Sequence, residues 1–178
     1  MRRCNLSNTR VEAIRDTAEV KRILSLLSCS ANIAIPLLFG AALGRVPFPN
    51  EFRRWTHVKS AIVTSSHPAA AAEGGLHHIY ANPKAMEGYG SGRFPEGSMI
   101  AYELLETREK DSVISEGPRR RLDVMVKDSA SFPTTGGWGF ERFREDGMEG
   151  ALSEQARTGC FECHRRAADH EFVFSRMR

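Results

Sequence analysis

Arg121-Leu122-Asp123-Val124-Met125-Val126-Lys127-Asp128 reads as a strand. Successive side chains of an extended chain point to opposite faces, so Leu122, Val124 and Val126 share one side and Asp123, Met125 and Lys127 the other. That period of two argues against a helix here and against a helical bundle for the whole chain. Working outward, Ser98 to Glu106 (SMIAYELLE) follows the turn Phe94-Pro95-Glu96-Gly97, with Pro at its second position, and is a second strand. Trp55 to Ser65, Leu76 to Tyr80 and Trp138 to Glu145 are rich in β-branched or aromatic residues and add further strands. Short helices are expected over residues 84–93 and 150–157, a turn at Thr134 to Gly137, and an exposed charged connection over residues 107–118. Four or five strands with short packed helices make an α+β domain on an antiparallel sheet.

The chain has 178 residues, 41% hydrophobic and 26% charged, which suits one packed domain with an appendage. Its net charge of +3 lies wholly in residues 1–44, which hold six Lys/Arg against three Asp/Glu. The neutral remainder carries no footprint for nucleic acid. Residues 23–44 form a run of 22 without a charge, preceded by Lys21-Arg22 and closed by Gly40, Ala41, Ala42 and Gly44. These are the parts of a secretory signal peptide, and the same run is long enough for an N-terminal membrane anchor. Either way the expectation is export. The organisation expected is therefore a signal or anchor over residues 1–44, a Pro-rich linker over 45–50, and a folded domain over 51–178.

Four Cys are too few for a disulfide scaffold, so their function is local. Cys4 and Cys29 lie in the leader. Cys160-Phe161-Glu162-Cys163-His164 is C-x-x-C-H, the attachment sequence of c-type haem. Two thiols at this spacing reach two vinyl groups on one porphyrin edge, and the adjacent His ligates the iron. Zinc, with His170 as a further ligand, and a plain Cys160–Cys163 disulfide are the competing readings. A thioredoxin-like site is disfavoured, because the motif follows an antiparallel pattern instead of sitting in a βαβ unit. Fourteen residues follow His164, and the downstream Met is Met177. A haem iron with an open distal face is thus expected over a Met/His-ligated electron carrier.

A β-sheet domain with this late motif resembles the cytochrome P-460 family. The resemblance rests, in order, on His78-Ile79-Tyr80-Ala81-Asn82-Pro83, Phe94-Pro95-Glu96-Gly97-Ser98, Glu103-Leu104, Val124-Met125-Val126-Lys127-Asp128-Ser129, Gly137-Trp138-Gly139-Phe140, Cys160 to His164, and Phe172-Val173-Phe174-Ser175. It implies a periplasmic homodimer with covalently attached haem c, held by Cys160 and Cys163, its iron ligated by His164. It also implies one of two functions: oxidation of hydroxylamine, with electrons leaving to a soluble cytochrome, or, as in the sister cytochrome c′-beta group, binding of nitric oxide without turnover. In the oxidisers a Lys before the Glu-Leu pair is cross-linked to the porphyrin. That position is Tyr102 here, either a phenol cross-linked in its place or an ordinary packed Tyr. The family's distal acid matches Asp123, a general base if the haem covers its face of the strand and a surface carboxylate if solvent does. His67, His77 and His78 are spare imidazoles, expected to be structural or exposed.

Overall fold

The computed structural model describes residues 44–177. All of the leader expected over residues 1–44 except Gly44 lies outside these residues. Five strands, β1 (Thr56–Val63), β2 (Gly75–Ala81), β3 (Met99–Lys110), β4 (Val113–Lys127) and β5 (Trp138–Arg144), form one sheet in chain order, every neighbour antiparallel. Three helices interrupt it: α1 (Ala70–Glu73), α2 (Pro83–Ser91) and α3 (Glu154–His164). Among the described residues no helix is long and apolar enough to cross a membrane.

The alternation in residues 121–128 sorts two cores. Met125 joins Ile100, Trp138, Phe140 and Val173 on the face covered by α2, α3 and the segment after α3. Leu122 and Val124 pack on the opposite face with Ala101, Phe143, Phe52 and Val46. Residues 45–50 are therefore not a free linker: Val46 is buried, and the Phe48 ring meets Phe143 edge-on at 5.0 Å between centroids. The apolar side chains at alternate positions of this Pro-rich stretch remove their own surface from water by covering the sheet.

The charged segment 107–118 is likewise no loose connection. It extends β3 and β4 into a hairpin in which Lys110 pairs with Val113. Its two-residue turn, Asp111-Ser112, has φ of 52° and 60°, the left-handed geometry that matches the twist of the flanking strands. The turn before β3 closes one residue later than its Pro suggested, with Ser98 N donating to Pro95 O at 3.0 Å and Gly97 supplying a φ of 81°.

Helix α2 begins at Asn82, whose Oδ1 accepts from Ala85 N at 2.9 Å and from Met99 N at 3.0 Å, and Pro83 takes the first helical position. Asn82 thereby fastens the helix to β3. Gly88 of α2 lies against the Phe94 ring, and a Cβ at that position would overlap it. Gly88→Ala is expected to destabilise the domain by about 1–3 kcal/mol, read as a lower urea midpoint at unchanged slope.

The third helix starts and ends later than residues 150–157. Ser153 Oγ accepts from Ala156 N at 3.2 Å and caps it, and the helix runs through the whole Cys160–His164 motif. Cys160, Cys163 and His164 consequently stand on one helical face, three and four positions apart.

Candidate functional site

Between α3, the segment after it and the first sheet face lies a cavity of about 810 Å³. The pleat builds its floor: Lys59, Ile79, Tyr102, Asp123 and Arg142 are consecutive cross-strand partners from β1 to β5, and all five line it. Cys160, Cys163 and His164 line it from the helix.

The cavity has an apolar and a polar end. His164 stands at the apolar end, its ring 4.9 Å from that of Phe140 and 5.0 Å from that of Phe174. Burial pushes the imidazole pKa down, so the ring is neutral, although the bond to Phe172 opposes this. Its Nδ1 lies 2.7 Å from Phe172 O. A carbonyl only accepts, so Nδ1 carries the proton and Nε2 keeps its lone pair, the tautomer a metal ligand requires. Cys160 is half-buried and its thiol pKa is raised by burial; Cys163 is exposed, 3.0 Å from the Arg166 guanidinium.

The polar end is a chain of charge-assisted bonds. Asp123 Oδ1 accepts from Arg142 Nε at 2.6 Å, and Oδ2 accepts from Arg142 Nη2 and Arg121 Nε, each at 2.9 Å. Arg121 Nη2 donates to Glu73 Oε2 at 2.6 Å, and Tyr102 OH donates to the same oxygen at 2.9 Å. Burial and the bond to Glu73 push the phenol pKa far up and keep it protonated. His77 stacks on Tyr102 at 4.8 Å, and its Nδ1 is buried without a hydrogen-bond partner.

The structure thus gathers all five residues singled out from the sequence, Tyr102, Asp123, Cys160, Cys163 and His164, around one cavity. Asp123 lines it, with 28% of its side chain exposed. Of the three spare imidazoles only His77 lines it. His78 lies on the opposite face, bonded to Ser60 and Glu116, and His67 accepts from Ala69 N in the β1–β2 connection. Glu73, Arg121 and Arg142 were not found from the sequence, because Glu73 is brought in by the β1–β2 connection and Arg142 by cross-strand register. Arg142 had a retrievable signal, since two positions after Phe140 on β5 it shares that residue's face.

These residues fit a haem. The volume lies in the range of about 300–1,000 Å³ usual for ligand pockets, the walls near His164 are aromatic and aliphatic, and a neutral imidazole offers its lone pair. Cys160 and Cys163 are free thiols on the same wall, not a disulfide. Among the described residues no three His, Cys, Asp or Glu side chains are arranged to hold a metal ion, so the zinc reading has no geometry behind it. No curated protein matches the chain. The family model described as Cytochrome P460 matches residues 49–175, a span holding the whole sheet and every cavity residue named above. The protein belongs to the cytochrome P460 family and is a haem-containing c-type cytochrome.

Proposed function

We propose that this cytochrome is exported to the periplasm, that Cys160 and Cys163 would hold its haem through thioether bonds, and that His164 would ligate the iron. We further propose that it binds and oxidises hydroxylamine or a related small nitrogen compound, hands electrons to a soluble cytochrome, and works as a homodimer. The observation that carries this reading is the pairing of a metal-ready His164 with a second, polar end in the same cavity. A pure electron carrier needs no such end.

When bound, the haem supplies the redox centre and the point at which a nitrogen ligand is held. The chain's own residues do the rest. Phe140 and Val173, both buried, line the imidazole side with apolar surface, and the half-exposed Phe174 ring lies beside the imidazole. Arg121 and Arg142 fix Asp123 through three guanidinium N–H bonds. Tyr102, held protonated, gives its one hydroxyl hydrogen to Glu73 and is not a phenolate.

That phenol favours a second reading, in which the protein captures nitric oxide without turnover. Its hydroxyl is committed to Glu73, and no Lys occupies the strand position that the oxidisers cross-link. The electronic spectrum and pyridine haemochrome of the purified holoprotein are expected to show an ordinary c-type Soret band. A strongly red-shifted ferrous band would instead mean a bond from Tyr102 to the ring. Hydroxylamine-dependent reduction of an added cytochrome then separates the two readings, and its absence together with tight nitric oxide binding would replace the first by the second. A low-spin six-coordinate ferric spectrum would sink both.

A further inference from the structure

We propose that Glu73, which the β1–β2 connection brings over the polar end of the cavity, is the residue that exchanges a proton with a bound ligand, and that Asp123 is a positioning residue. This deepens the proposed function and rests on the reading of the cavity as a ligand site. Three of the four in-plane acceptor positions of Asp123 are filled by guanidinium N–H donors at 2.6–2.9 Å. A proton arriving there would disrupt charge-assisted bonds to two cations.

Glu73 is built differently. Its Oε2 takes both bonds, from Tyr102 OH and Arg121 Nη2, while Oε1 makes none. A proton can therefore land on Oε1 with both anchors intact. The carboxylate lines the same cavity as His164, and its side chain is 36% exposed, so a proton received from the ligand can pass on to water.

The connection is held in place independently of that carboxylate. Arg121 Nη1 donates to Ala72 O at 2.5 Å, and the Arg120 guanidinium donates to Gly74 O. The charged and titratable groups that face Glu73 are His77 on β2, Tyr102 on β3, Arg121 and Asp123 on β4, and Arg142 on β5. Lys59 on β1 lines the same cavity. Tyr102 stays protonated, so the available bases are the two carboxylates and the neutral His77 imidazole, which burial weakens as a base.

In the step proposed, the bond from hydrogen to the ligand's donor atom breaks, the electron pair stays on the ligand, and the proton binds Glu73 Oε1 before leaving to solvent. Glu73 moves no electrons.

The test uses ferric holoprotein and hydrogen cyanide, which must surrender its proton on binding, with the association rate followed in the Soret band at neutral pH. Glu73→Gln is expected to slow association at least about tenfold, a threshold set below the roughly 10²–10⁴-fold of general-base effects, with Asp123→Asn slowing it less. Carbon monoxide binding to the ferrous protein transfers no proton and is expected to keep its wild-type rate in Glu73→Gln. Three results would overturn the proposal: wild-type cyanide kinetics in Glu73→Gln, a larger loss in Asp123→Asn, or an equal slowing of carbon monoxide, which would make Glu73 a part of the entrance only. Because cyanide binding needs no turnover, a wild-type protein inert to hydroxylamine overturns the oxidase reading while leaving this result standing.

Discussion

Replacing Cys160 and Cys163 together by Ala is expected to yield a protein whose haem passes entirely into acid acetone, whereas wild-type haem stays with the chain. The geometry makes the effect all-or-none. Both side chains stand on the cavity side of α3, one turn apart, with His164 directly after them. Without thiols the only link from helix to haem would be the coordinate bond of a neutral imidazole, which acid breaks by protonating it. The fold should survive, because neither Cys belongs to the set of fully buried core side chains. The measurement is haem stain on a denaturing gel beside the far-ultraviolet circular dichroism of the same sample. Retention of stain by the double variant would show that the attachment lies elsewhere.

Glu141→Ala should produce the largest loss of stability among cavity-side polar changes, about 2–3 kcal/mol, seen as a lower midpoint in chemical denaturation. Glu141 on β5 is 4% exposed. It accepts from Leu152 N at 2.9 Å, from Arg142 N at 3.0 Å and from the Arg157 guanidinium. These bonds tie the start of α3, and hence the motif helix, to the edge of the sheet. The cost falls short of that for a fully enclosed pair, because Arg157 keeps 34% of its side chain in water.

The same carboxylate makes the docking sensitive to acid. Burial is the largest influence and pushes its pKa up, but the Arg157 bond and the two backbone N–H bonds together hold it below the ordinary value. A depressed carboxylate contributes its stability in full above the unfolded value of about 4.3, and that contribution fades as pH falls through the lower folded value. Wild-type stability should therefore drop over that interval, and Glu141→Gln should flatten the drop. An unchanged slope in the Gln variant would remove Glu141 from the account of acid unfolding.

The sheet was legible because Leu122, Val124 and Val126 alternate with Asp123, Met125 and Lys127, and packing on both faces keeps that alternation in register. The motif was legible because its spacing is local. The long hairpin was not, since Asp111-Ser112 lacks the Asn-Gly or Asp-Gly signature of its turn and the flanking residues are charged and exposed. The start of α3 was missed although Ser153 is a good cap, because Gly150 to Arg157 carries no clear helical period. Glu73, Arg121 and Arg142 acquire their roles through partners 48 and 19 positions away, and no pattern within one segment encodes such pairings. Asp123 shows the limit from the other side: its residue type suggests a base, and Arg121 two positions before it together with Arg142, which only the register brings near, make it an anchor.

Chain order has its own consequence for maturation. All five strands precede Cys160. A polypeptide that emerges from its N-terminus therefore completes the entire cavity floor before either thiol or the His164 imidazole appears. Until α3 and Phe172 to Phe174 are in place, the apolar side chains of Ile100, Met125 and Phe140 lack part of the cover they have in the folded domain. A haem held in the cavity would then also be a closing piece of this core.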